Sequence, residues 1–354
     1  MALNKILFVT IAGNSVGYGH LSRCLTLADF SAREYHQSSF LLFSDTLGFM
    51  HSRMANYDFM VEPISALKNG AISEFLKISK VFDIAVIDLS RPDLFSSWKA
   101  VEKLLLAIRK IARRVVLIDA LGDEVFYKNL ECFSIDILVI PYVGADNISD
   151  PKWSLLRGAD YAILSSDYSE LPTRTIRRLA NRILISCGGS DPKNFSIAIL
   201  KALELIPSFL EVRIIIGPLF EEDLIRQLMA APLWSRHELN LIRSPISLAE
   251  HMLWCDISIA TTGLIKYELA ATGTPAILMS VNKMHALVNE PFSRLGSSID
   301  IDIKLPPHEF AARVSTLLID YNARVAMSDA GKEKIDGFGT RRLMKKILEG
   351  APNE

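Results

Sequence analysis

The chain has 354 residues, enough for two domains of ordinary size, and is 50% hydrophobic and 22% charged, which excludes the disordered and low-complexity classes. Lysine and arginine number 39 against 40 acids, a formal charge of -1, so no basic field exists to hold a nucleic-acid backbone, although one local site can still carry positive groups for a diphosphate. Cys24, Cys132, Cys187 and Cys255 are far apart and form no Cys-x-x-Cys pair, which excludes a structural zinc site or a disulfide framework built on such spacing.

The first apolar run, residues 5 to 11, is predicted to be a buried strand. It is also the only segment that resembles a leader peptide, but the glycine-rich polar stretch after it offers no small-residue cleavage site. No apolar run reaches the length of about 18 residues that spans a bilayer, so the cytoplasm is the expected compartment and no transmembrane segment is expected.

That strand enters Gly13-Asn14-Ser15-Val16-Gly17-Tyr18-Gly19-His20-Leu21-Ser22-Arg23, after which Cys24-Leu25-Thr26-Leu27-Ala28 has helical spacing. His20 is therefore expected at the N-terminus of the first helix, on the carboxyl edge of the sheet, where open α/β folds hold ligands. A helix N-terminus favours a neutral imidazole able to act as a base. The alternative is a histidine that caps or packs the turn. The dinucleotide fingerprint is not matched, because position 22 is Ser22 and not glycine, which disfavours a nicotinamide cofactor.

Further short runs rich in Ile, Val and Leu, separated by segments of helical period, predict strands at 39 to 44, 83 to 87, 114 to 118 and 136 to 140. A polar, proline-containing stretch from Ser165 to Thr173, followed by basic residues from Arg174 to Arg178, marks a hinge. A second series of strands is predicted at 181 to 187, 211 to 216, 239 to 243, 256 to 260 and 275 to 279. The fold class is thus α/β, with Rossmann-like domains over 1–168 and 178–338 and an amphipathic helix in 339–354 that reaches back across the first domain.

The second domain opens on Ile183-Leu184-Ile185-Ser186-Cys187-Gly188-Gly189-Ser190-Asp191-Pro192, a strand entering a glycine turn. Two readings stay open: backbone amides around Gly188, Gly189 and Ser190 cradle a phosphate, or Asp191 simply caps the helix. Farther on, Ile257-Ser258-Ile259-Ala260 runs into Thr261-Thr262-Gly263-Leu264-Ile265, whose hydroxyls and amides can converge on a diphosphate. Glu268 follows on the next helix, either as a carboxylate for the two hydroxyls of a ribose or as a solvated helix residue. Gly273-Thr274-Pro275 stops that helix.

In this order and spacing, Val16 to His20, Leu27-Ala28, Gly188 to Pro192, Ile216-Gly217-Pro218, Glu268 to Pro275 and Asp336 to Arg342 resemble the PseG family, hydrolases of UDP-2,4-diacetamido-2,4,6-trideoxy-β-L-altropyranose in pseudaminic acid biosynthesis. More distantly they are similar to MurG-type transferases of GT-B fold, two Rossmann-like domains with a cleft between them. The resemblance covers most of the chain. It implies that His20 is the catalytic base for water attack at the anomeric carbon with inversion, without metal or other cofactor. It further implies that UDP lies on the second domain, with Glu268 at the ribose and Thr261 to Ile265 at the phosphates. Substrate contacts are implied for Gly17, Tyr18, Gly19, Arg23, Asp88, Gly188, Gly189, Ser190, Thr261, Thr262, Gly263, Leu264, Ile265, Glu268 and His285.

Three departures bear on the sugar. Asp88-Leu89-Ser90 stands where the family has Asp-His-Tyr, Asp119-Ala120 where it has Asp-Asp, and His285 where it has a glutamine. A UDP-sugar hydrolase is the leading expectation. A GT-B glycosyltransferase is the second, although Lys68, Lys77, Lys80 and Arg91 are too scattered for a lipid-facing basic patch, and a non-catalytic sugar-nucleotide sensor is the third. The sequence names no oligomeric partner.

Overall fold

The computed structural model describes residues 3–13, 16–45, 52–69, 81–89, 92–119, 128–130, 134–149, 152–191, 193–231, 236–280 and 282–349. Ser90, Arg91, Lys77, Lys80, Cys132, Ala120 and Pro192 lie outside them. The chain forms two compact units: Met1–Ser166 together with Phe338–Glu354, and Asp167–Gly337.

In the first unit, β1 (Lys5–Ala12), β2 (Gln37–Ser44), β3 (Asp58–Pro63), β4 (Phe82–Asp88), β5 (Ala112–Ile118), β6 (Ile137–Ile140) and β7 (Ser154–Arg157) make one parallel sheet in the order β3-β2-β1-β4-β5-β6-β7. Every β1 residue after Lys5 is buried, because β1 lies mid-sheet and both of its faces are covered; continuous apolar sequence is what such a strand requires. Helix α1 (Gly19–Arg33) follows β1, and α2 (Trp98–Arg109), capped by the Ser97 side chain, follows β4.

In the second unit, β8 (Arg182–Ser186), β9 (Glu211–Ile216), β10 (Glu238–Arg243), β11 (Ile257–Thr261), β12 (Ala276–Ser280) and β13 (Ser298–Asp302) are ordered β10-β9-β8-β11-β12-β13, again all parallel. Its helices are α3 (Phe195–Leu203), α4 (Glu222–Ala230), α5 (Ala249–Trp254), α6 (Ile265–Ala271), α7 (Lys283–Leu295), α8 (Pro307–Ile319) and α9 (Tyr321–Lys334). Fully buried Arg324 donates to the carbonyls of Leu317 and Leu318 at the end of α8 and to those of Arg177 and Arg178, so buried acceptors that would otherwise be unmatched are satisfied.

Three strands carry no run legible in the sequence: β3, β7 and β13. All three are sheet edges, where one flank is open and a continuous apolar stretch is not needed. What holds β3 is a cross-strand aromatic ladder. Phe8, Phe40 and Phe59 are register partners on β1, β2 and β3, stacked with centroids 5.1 and 4.7 Å apart.

The chain ends on α10 (Gly339–Leu348), which belongs to the first unit. Its Leu343, Met344 and Ile347 are fully buried in the same core as Leu21, Leu25 and Ala28 of α1. Burying three such side chains is worth roughly 1.5–3 kcal/mol each. Thr340 locks the start of α10, its hydroxyl donating to the Leu164 carbonyl at 2.6 Å and accepting from the Leu164 amide at 3.0 Å.

Candidate functional site

Both sheets change winding direction at an equivalent place, between β1 and β4 in the first unit and between β8 and β11 in the second, and ligands of open α/β sheets bind outside the carboxyl ends of such strand pairs. Most of the residues singled out from sequence fall on these two corners; His285 lies on the helix after β12.

In the first unit β1 leaves the sheet at Ala12, and the chain doubles back so that Gly13 and Gly17 exchange backbone hydrogen bonds of 3.2 and 2.8 Å. Gly17 has φ +75°, a conformation that side-chain-bearing residues rarely adopt. The loop delivers Tyr18 to the residue before α1 and His20 to its second position. Burial and then the Asp45 charge hold the Tyr18 phenol above its ordinary pKa.

Because Thr10 of β1 is in register with Asp88, the last residue of β4, the Asp88 carboxylate emerges beside the first turn of α1. There His20 Nδ1 lies 2.7 Å from Asp88 Oδ1, Arg23 Nε donates to Oδ2 at 2.7 Å and Arg23 Nη2 to Oδ1 at 2.9 Å. His20 and Arg23 are 4% and 5% exposed and Asp88 is fully buried, so water contributes little screening. Burial alone would push the Asp88 pKa up; the charges and hydrogen bonds of Arg23 and His20 outweigh it and hold the carboxyl below its usual value. Arg23 Nη2 also stands 2.9 Å from Nδ1, two donors converging on one oxygen. Facing an ionised carboxylate, Nδ1 carries the proton, so in the neutral ring the lone pair is on Nε2.

The resemblance implies substrate contacts for Asp88 and Arg23; in the structure both Asp88 oxygens are engaged by His20 and Arg23. Leu89, next in line, is 2% exposed and packs inward.

In the second unit the turn after β8 has Gly188 at φ +79°, and its missing Cβ would sit 3.9 Å from the Thr261 hydroxyl at the end of β11, so Gly188 and Thr261 are neighbours. Gly189 is approached from behind by the turn after β9: a Cβ on Gly217 would lie 2.3 Å from the Gly189 carbonyl oxygen, and Leu219 donates to that oxygen at 2.9 Å. The first amides of α3 are engaged from within. Asp191 accepts from the Phe195 and Ser196 amides at 2.8 and 2.9 Å and from the Ser196 hydroxyl, so it caps the helix, and those bonds do not involve the amides of Gly188, Gly189 and Ser190.

The turn after β11 is tied to α7. Asn289, fully buried, donates through Nδ2 to Ser280 Oγ at 3.0 Å and Asp300 Oδ1 at 3.2 Å. Its Oδ1 therefore faces the Thr262 hydroxyl, which donates to it. Thr262 thus offers a ligand oxygen lone pairs and not a proton. Gly263 is exposed, and Leu264 and Ile265 begin the seven-residue α6.

On α6, Lys266 is 7% exposed and its ammonium donates to the Val288 carbonyl at 2.6 Å; burial pulls its pKa down to about 7, with Asp300 opposing. Glu268 is partly buried. Burial pushes its carboxyl up to about 7, the Asp167 charge adding to the rise and a hydrogen bond from the Tyr168 phenol pulling against it. His285, one turn before Val288 on α7, has its amide capped by Asn282 at 2.9 Å, while its ring Nδ1 is buried with no hydrogen-bond partner among the described residues. Burial, then Lys266 and Lys193, hold the His285 ring below the ordinary histidine pKa.

Sequence reasoning missed Lys266, Asn289, Asp300 and the contact of Tyr168 with Glu268. One signal was available: Asn282, His285 and Asn289 recur at helical spacing as a polar stripe along α7. Among the described residues no group of His, Cys, Asp or Glu is placed to hold a metal ion, and no helix is long and apolar enough to cross a membrane.

No family model matches the chain. It is 22% identical over 196 residues to the spore coat polysaccharide biosynthesis protein SpsG of Bacillus subtilis (strain 168), covering 53% of this chain and 56% of that protein. It is also 22% identical over 298 residues to protein MJ1062 of Methanocaldococcus jannaschii, covering 79% of this chain and 56% of that one. The chain thus spans just over half the length of the curated relatives it matches. Among solved structures it is similar to Acinetobacter baumannii MurG, with TM-score 0.66, 13% identity and coverage of 98% of this chain and 100% of that one. It is similar as well to CalG4, the calicheamicin glycosyltransferase, with TM-score 0.62, 15% identity and coverage of 99% and 100%. A co-structure of S. aureus MnaA with UDP gives TM-score 0.62, 13% identity and coverage of 99% and 100%. At these identities the likeness is one of fold: two parallel-sheet α/β units of the GT-B type.

Proposed function

We propose that the protein is a nucleotide-sugar enzyme that breaks the bond between UDP and a modified amino-sugar, with water as the acceptor. The observation that carries this is the buried hydrogen bond between Asp88 and His20 Nδ1, which leaves Nε2 as the basic position of the ring. His20 Nε2 takes a proton from water as the water oxygen bonds to the anomeric carbon. The bond from that carbon to the diphosphate oxygen breaks, and UDP departs with the electron pair. Asp88 stabilises the imidazolium that results, and Arg23 balances the Asp88 charge beforehand. In the second unit, Glu268 receives the ribose hydroxyls and the turn from Thr261 to Ile265, with Gly188, Gly189 and Ser190 beside it, lines the diphosphate.

The PseG resemblance supports hydrolysis of a 2,4-diacetamido-2,4,6-trideoxyhexose donor with inversion. The glycosyltransferases among the structural neighbours, MurG and CalG4, support a second reading in which the same base activates an acceptor hydroxyl. SpsG, named for spore coat polysaccharide biosynthesis, supports a role in making surface polysaccharide under either. UDP release from a panel of UDP-amino-sugars, run with and without candidate acceptors, tests both. Release at full rate in water alone is expected; a rate that requires an acceptor selects transfer, and binding without release from any donor overturns both.

A further inference from the structure

In the second unit the usual backbone means of holding an anion are restricted. The first amides of α3 are taken by Asp191, the Thr262 hydroxyl gives its proton to Asn289, and α6 is only seven residues long. The positive charge there comes from side chains. Lys193 leaves the turn after β8, Lys266 rises from α6, and His285 stands at the start of α7, within electrostatic reach of both lysines. Two of these groups are held in place. Lys266 is buried with its ammonium on the Val288 carbonyl at 2.6 Å, one turn from His285, and the Asn282 cap sets the first turn of α7 at His285 itself. Its Nδ1 is buried without a partner among the described residues. Three basic groups from three elements repel one another, and a buried ring nitrogen lacking a partner is costly. A multiply charged anion relieves both.

We infer that Lys193, Lys266 and His285 form an anion-reading group that carries the charge of the diphosphate in the second unit and takes up a proton as it does so. The inference rests on the reading that this unit binds the nucleotide, and it specifies which part of the ligand is read by charge. The titratable groups facing Lys266 are Asp300 of β13 and His285 of α7; those facing His285 are Lys266 and Lys193. Before the anion arrives, burial and the neighbouring cations disfavour the protonated forms of Lys266 and His285. The anion favours those forms, so protons bind with it and affinity falls as pH rises through neutrality and above.

Inorganic pyrophosphate is the probe, because it lacks the ribose that Glu268 is proposed to hold. Calorimetry in two buffers of different ionisation enthalpy counts the protons taken up, and the difference between wild type and Lys266→Met removes the titration of pyrophosphate itself. Proton uptake is expected in wild type and lost in Lys266→Met. Lys193→Met, at an exposed position that leaves the fold intact, and His285→Asn are each expected to weaken pyrophosphate and UDP about tenfold, the size of one charge-assisted contact, while uridine affinity stays unchanged. If Lys266→Met does not fold, these two variants decide. UDP binding in which pyrophosphate does not compete, or affinities untouched by Lys193→Met and His285→Asn, overturns the inference and leaves the nucleotide reading standing. Pyrophosphate binding of the expected kind with UDP no tighter than pyrophosphate upholds the anion group and overturns the nucleotide reading.

Discussion

The corner after β1 and the corner after β11 are built on the same sheet topology but carry opposite kinds of chemistry. In the first, one carboxylate, one guanidinium and one imidazole satisfy each other within 2.9 Å and are almost wholly buried. In the second, burial brings an ammonium and a carboxyl both to pKa values of about 7, and a buried ring nitrogen lacks a partner among the described residues. A self-satisfied cluster is preorganised, and its geometry does not wait for a ligand. Groups whose charged forms are suppressed by burial are completed by whatever binds them. The contrast teaches that the first unit holds its charged groups in mutual pairs, whereas the second leaves groups whose charged forms burial disfavours; under the proposed function the first would serve the proton transfer and the second the capture of the nucleotide.

The largest effect expected from breaking this contrast is on rate. His20→Ala should lower turnover by about 10²–10⁴-fold, the range for loss of a general base, with UDP affinity unchanged by calorimetry. A matching loss in UDP binding would erase the distinction between the corners. Next, Asp88→Asn removes the counter-charge of buried Arg23 and should cost roughly 3–5 kcal/mol of stability in denaturant unfolding. Adding Arg23→Met to Asp88→Asn should restore much of it, because the uncompensated charge is then gone.

Smaller effects are expected in the second unit. Gly217→Ala puts a Cβ 2.3 Å from the Gly189 carbonyl oxygen, and the resulting overpacking should cost about 1–3 kcal/mol by thermal unfolding. Glu268→Gln should weaken UDP about tenfold, one charge-assisted hydrogen bond, with turnover at saturation little changed. The same variant has a pH signature. Glu268 is raised from 4.5 to about 7 in the folded chain, so between those values the folded state binds more protons than the unfolded state, and stability falls as pH rises through the window. Melting temperatures across that range should slope less in Glu268→Gln; an identical slope would mean the carboxyl is not held in its protonated form.

How much was legible follows from where each residue sits. β1 and β4, hydrogen-bonded on both flanks and covered on both faces, must be continuously apolar, so their positions are written in Ile, Val, Leu and Phe. The edge strands β3, β7 and β13 are free of that demand and were missed. His20 was placed at the start of α1 from the glycine turn alone, and Asp88 was noticed only through the resemblance. That Asp88 and His20 touch depends on the pairing of β1 with β4, residues 68 apart in the chain, which no local pattern encodes. Lys266 and Asn289 looked like ordinary polar residues of helices, since burial is what distinguishes them and burial is a property of the folded chain.

By itself, the sequence determined the two α/β units, the glycine turns that end their central strands and the histidine at the first of them, because apolar runs and conformationally permissive residues act locally. Only the tertiary structure decided which groups are paired. Pairing requires distant strands to come into register and water to be expelled, and from that follow the contact of His20 Nδ1 with Asp88, the capping of α3 by Asp191, and the suppressed charges of Lys266, Glu268 and His285.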